Sequence, residues 1–87
     1  MEIFYHSKFI KQFKKLHSEI KAVALEKEFI FRSDPFDPRL KTHKLHGKLS
    51  GYFSFSINHK YRIIFGYTDD KKNVKFYFIG THDIYEN

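Results

Sequence analysis

Tyr52-Phe53-Ser54-Phe55-Ser56-Ile57-Asn58-His59-Lys60-Tyr61-Arg62-Ile63-Ile64-Phe65-Gly66-Tyr67 is the stretch that decides the fold. Phe53, Phe55 and Ile57 alternate with Tyr52, Ser54 and Ser56, and this period of two is the pattern of a half-buried strand. Asn58-His59-Lys60 reads as a tight turn. The run from Tyr61 to Tyr67 is nearly continuously apolar, which places it at the centre of a sheet with both faces covered. Thr68 to Asn73 is a second polar turn, and Val74 to Ile79 a third strand of the meander.

Upstream of the meander the pattern is helical. Residues 2–6 are short, aromatic and β-prone, and read as a first strand. Ser7 offers an N-cap, and Phe9, Ile10, Phe13 and Leu16 form one apolar stripe with Lys8, Lys11, Lys14 and Lys15 mostly outside it. His17-Ser18 breaks that pattern, and Ser18 can cap a second helix beginning at Glu19. Ile20, Val23, Ala24 and Ile30 mark its buried side, with Leu25 and Phe29 widening it. Pro35 and Pro38 stop this helix, because each disfavours helical geometry in the residue before it. A basic, His-rich connector follows from Arg39 to Gly51, with Leu40, Leu45 and Leu49 able to anchor it on a core. The order is β-α-α-β-β-β in the α+β class, with a helical hairpin on one face of a small antiparallel sheet.

Eighty-seven residues make one domain, 1–87, and a chain this short needs an efficient core. Eleven Phe and six Tyr supply it, since aromatic side chains bury the most area per residue. Without cysteine there are no disulfides or thiolate metal sites. Lys and Gln interrupt the apolar start, which does not resemble a signal peptide, and no stretch approaches the ~20 apolar residues of a membrane span. A cytoplasmic location is therefore expected. Sixteen Lys and Arg against ten acids leave a net charge of +6, a field that attracts polyanions.

Three residues stand out chemically. Arg62 is the lone charge in the central strand: either a sheet-end arginine, solvated or paired with an acid, or a guanidinium held rigidly to grip phosphate with two prongs. His82 follows the last strand in Gly80-Thr81-His82-Asp83-Ile84-Tyr85, where Gly80 permits a sharp change of direction. Its bland alternative is a frayed tail. His43 sits in the basic connector beside His46. The pair does not make a zinc site, which wants three protein ligands in a fixed frame; no metal or other cofactor is expected. His6, His17 and His59 read as surface residues. RNA can be cut without metal when its own 2′-OH attacks the adjacent phosphorus, given a base, an acid and positive charge on the phosphate. Two histidines and an arginine suffice for that chemistry.

The blocks Leu45-His46-Gly47-Lys48-Leu49-Ser50-Gly51-Tyr52, Asn58-His59-Lys60-Tyr61-Arg62-Ile63-Ile64-Phe65 and Gly80-Thr81-His82-Asp83 together resemble the RelE/ParE toxin superfamily. They are most similar to its RelE/YafQ/YoeB branch. The resemblance implies the toxin of a type II toxin–antitoxin system, a ribosome-dependent endoribonuclease that cuts messenger RNA and is neutralised by a small antitoxin from the same operon. It implies His43 as general base on the 2′-OH, Arg62 as phosphate stabiliser and His82 as general acid. Tyr85 is implied as a secondary residue for base stacking or proton transfer. Two positions depart from the YafQ-like pattern: Ser56 stands near where another histidine is usual, and Lys60 replaces an acid. These departures leave open which histidine is base and which acid.

Lys41, Lys44, Lys48 and Lys60 are then expected to hold messenger or ribosomal RNA backbone, and Tyr52 and Tyr61 to offer stacking faces or, equally, to be core or rim aromatics. The antitoxin is expected to lay an extended segment or amphipathic helix over basic or apolar surface. The alternatives on the same fold are a ParE-type gyrase inhibitor, which needs no acid–base histidines, and a degenerate member that binds antitoxin or RNA without cutting.

Overall fold

The computed structural model describes residues 1–86. Strand β1 (Ile3–Tyr5) leads into helices α1 (Ser7–Lys14) and α2 (Ser18–Ser33). A two-residue strand β2 (His43–Lys44) then precedes the meander β3 (Phe53–Ser56), β4 (Arg62–Tyr67) and β5 (Val74–Gly80). The strand order is β1-β5-β4-β3-β2, so the apolar run is central, as its composition demands. Two features differ from the sequence reading. β1 pairs with β5 in parallel, making the sheet mixed rather than antiparallel, and the basic connector contributes β2 as an edge strand.

The helices cover one face. Phe53, Phe55, Ile57, Ile63, Phe65, Val74, Phe76 and Ile79 point toward them, which is the alternation expected of a pleated sheet. Phe31 of α2 is the hub: wholly buried, its ring lies 4.9 Å from Phe55, 4.8 Å from Phe65 and 5.3 Å from Phe76, centroid to centroid. Leu40, also wholly buried, pins the connector beneath α2, while Leu45 and Leu49 are half-buried.

The expected buried side of α2 needs correction. Leu25 and Phe29 do not widen it; they are 57% and 74% exposed. The capping residues also shift by one. His6, not Ser7, caps α1, its Nδ1 accepting from the Lys8 amide at 3.1 Å; His17 precedes α2 without a side-chain cap bond. β1 runs alongside β5 only as far as Phe76, and beyond that point Gln12 of α1 takes over, its Oε1 accepting from the Ile79 amide at 2.9 Å. Among the described residues no helix is long and apolar enough to cross a membrane.

Candidate active site on the open face of the sheet

The face turned away from the helices carries the chemistry-bearing residues, and strand register fixes which of them meet. Ser56, Arg62 and Gly80 form one row across β3, β4 and β5. His43, Ser54, Ile64 and Phe78 form the next, across β2 to β5. Strands lie ~4.8 Å apart and residues rise ~3.4 Å along them, so the His43 and Arg62 backbones are about 12 Å apart. That spacing lets two long side chains converge on one nucleotide.

Arg62 is held by the turn that precedes it. Asn58 shapes this turn, its Oδ1 accepting from the Lys60 and Tyr61 amides at 2.9 and 2.7 Å. The Arg62 Nη1 donates to the carbonyls of Asn58 (2.6 Å) and Tyr61 (3.1 Å). Among the described residues no carboxylate lies within ion-pair distance of the guanidinium. A guanidinium has five N–H donors in a fork, so anchoring one nitrogen fixes the direction of the rest. Among the described residues Arg62 is therefore not paired with an acid.

His43 is exposed on the short edge strand, and its Nδ1 lies 3.2 Å from the Lys41 carbonyl. Lys41 adopts a left-handed conformation, φ 53°, which closes the 3-10 turn Pro38–Leu40. A neutral His43 with this contact donates Nδ1–H to the carbonyl and presents Nε2 as an acceptor, the form a base requires. His82 opens a C-terminal 3-10 turn, His82–Glu86, two residues beyond the Gly80 that faces Arg62. Its side chain is 82% exposed, with Nε2 3.7 Å from Asp83. The same turn carries Tyr85 back onto the sheet, where its hydroxyl lies 2.6 Å from Ser54 Oγ.

The structure thus brings His43, Arg62 and Tyr85 to one face, from β2, β4 and the C-terminal turn, and leaves His82 exposed at the start of that turn. The RNA-binding candidates divide. Tyr52 shares the open face, its ring edge-on to Tyr77 at 5.2 Å, and both rings lie over Gly66, where a Cβ would meet Tyr52 Cδ1 at 3.3 Å. Burial raises the Tyr77 phenol above its usual value, with the charges of Tyr52 and Asp69 adding to the shift. Lys41, Lys48 and Lys60 are exposed in the connector and the β3–β4 turn. Tyr61 packs against the helix-side core, and Lys44 pairs with Phe53, whose ring faces the helices; these two are turned from the open face. Ser54 and Tyr77 were not legible as site residues, since a serine and a tyrosine in alternation look like any exposed strand face.

The fold is that of the RelE/ParE toxins. It superposes on the YoeB/ParE toxin from Agrobacterium tumefaciens with a TM-score of 0.79 at 14% identity, covering 94% of this chain and 99% of that one. The likeness to the E. coli DinJ–YafQ complex has a TM-score of 0.67 at 25% identity, over 95% and 94% of the two chains. The RelBE2 toxin–antitoxin complex from Mycobacterium tuberculosis gives 0.77 at 21%, over 93% and 96%. No protein-family profile and no curated protein matches the sequence.

Proposed function

We propose that the chain is the toxin of a type II toxin–antitoxin system, an endoribonuclease that cuts messenger RNA on the ribosome without a metal. His43 and His82 divide the proton transfers. One takes the proton of the 2′-OH as its oxygen attacks phosphorus; the other gives a proton to the departing 5′-oxygen as the P–O5′ bond breaks. Products are a 2′,3′-cyclic phosphate and a 5′-hydroxyl. Arg62 stabilises the charge that builds on the phosphate oxygens, where a fixed donor is most effective. Tyr85 has its hydroxyl engaged by Ser54 and supplies no proton to the reaction. Lys41, Lys48 and Lys60 attract the RNA backbone, and Tyr52 offers a second stacking face.

The observation that carries this reading is the Arg62 anchor: a guanidinium aimed by two backbone carbonyls, with no carboxylate among the described residues to neutralise it, on the face that also bears His43. The antitoxin is the proposed partner. Its place is the helix side, where an apolar cleft of ≈ 390 Å³ lined by Phe9, Ile10, Phe13, Ala24 and Leu25 lies open. Exposed apolar surface of this kind suits an amphipathic helix.

The chemistry is tested by mapping product ends from a message carrying a 2′-O-methyl group at one cut site, translated in a reconstituted system with the purified chain. The expected result is cyclic-phosphate ends at unmodified sites and none at the blocked one. Cutting at the methylated nucleotide would contradict 2′-OH attack.

A further inference from the structure

Ser54 is the one polar side chain wholly buried among the described residues. A hydroxyl removed from water needs a partner, and this one has the Tyr85 hydroxyl at 2.6 Å. Gly80 provides a second seat for the same C-terminal turn. A Cβ at Gly80 would meet Ile84 Cγ2 at 2.7 Å, closer than such contacts occur, and Cγ2 branches directly from the stiff Ile Cβ. Gly80 is therefore a glycine for space, not for a reversed backbone; positive φ occurs at Gly47 and Gly51 instead. Ile84 is nearly buried, and its amide donates to the Thr81 carbonyl at 3.1 Å.

The turn thus stands on two feet, Ile84 on β5 and Tyr85 on β3, and spans the central strand between them. His82 is the first residue of that turn, two residues before the Ile84 foot. A five-residue 3-10 turn has little stability of its own and needs contacts to hold it.

We infer that Ser54 is a positioning residue: through Tyr85 it holds the C-terminal turn against the sheet and so keeps His82 beside the Arg62 row. The inference rests on the ribonuclease reading for its catalytic consequence, and on the two contacts for its physical content. Misplacing a catalytic group by ~1 Å can cost up to ~10²-fold in rate, so releasing one foot should lower kcat without touching the groups that bind RNA.

The test compares wild type with Ser54→Ala and Tyr85→Phe, each alone and in a His82→Ala background. Amide exchange at Ile84 and steady-state cleavage of a translated message are both followed. Releasing the Tyr85 foot should speed Ile84 exchange at least ~10-fold and lower kcat by about 10-fold with KM unchanged. Neither substitution should lower activity further once His82 is gone. Gly80→Ala, which lifts the other foot, should give the same pattern. Unchanged exchange, or a loss of equal size in the His82→Ala background, would overturn the positioning role and leave Ser54 a packing residue. A wild-type chain that leaves the message uncut would overturn that role together with the ribonuclease reading. Exchange separates the two failures, because Ile84 protected in wild type and released in Ser54→Ala keeps the anchoring while the activity falls.

Discussion

Arg62 illustrates how one residue's meaning depends on its neighbours. A charge inside an apolar strand is legible in sequence, but its role turns on whether an acid meets it, and that is set by strand register. With both bonds going to backbone carbonyls, the guanidinium keeps its full charge for a ligand. Arg62→Ala should lower cleavage by at least the ~10² typical of losing a transition-state donor. Steady-state kinetics on the purified variant checks this, and an undiminished rate would assign Arg62 to holding the turn. Tyr5 carries a separate expectation. Desolvation, the Glu28 carboxylate it donates to and that carboxylate's charge push its phenol up from 10.0 to about 12. A raised folded pKa gives stability that is intact below the unfolded value and lost as pH rises through the folded one. Urea unfolding should therefore show wild type losing stability between pH 10 and about 12, and Tyr5→Phe losing less across the same window.

At the scale of elements, the meander was readable and the rest only partly so. β4 announced itself because a strand covered on both faces has no polar alternation to obscure it. β2 did not, since two residues carry no period, and its pairing depends on Ser54 and Phe53 opposite. The parallel pairing of β1 with β5 left no trace either, because it joins the two ends of the chain and has no local turn to signal it. α2 misled for a different reason. Apolar residues at 20, 22–25 and 29–31 surround the helix, so periodicity cannot choose a face; Phe31 turned out to be the hub and Phe29 the exposed residue. Phe31→Ala should cost about 3–5 kcal/mol, the usual range for a buried phenylalanine. Phe29→Ala should cost little, and a shift of its urea midpoint comparable to that of Phe31→Ala would contradict this assignment.

At the scale of the molecule, the sheet separates two surfaces. One side presents basic and aromatic residues around Arg62, and the other an open apolar cleft between the helices. His43, Arg62 and Tyr85 lie far apart in sequence, and only the folded sheet puts them on one face. Spacing in sequence could nominate them but not show that they share a face. The two surfaces should be separable by mutation. Leu25→Asp and Ile10→Asp, at exposed residues of the cleft, should weaken capture of the antitoxin by at least ~10-fold, as loss of apolar anchors does, and leave RNA cleavage unchanged. Calorimetry with the co-encoded antitoxin measures the first and message cleavage the second. Equal antitoxin affinity in both variants would move the docking surface elsewhere.

The central claim, that this fold cuts translated messages through His82, is tested most directly by primer extension on an abundant message after brief induction, with His82→Ala expressed alongside. The account predicts new 5′ ends within translated sequence for the wild type and none for the variant. Growth arrest without new ends would contradict it and favour gyrase inhibition; identical cuts from the variant would remove His82 from the chemistry.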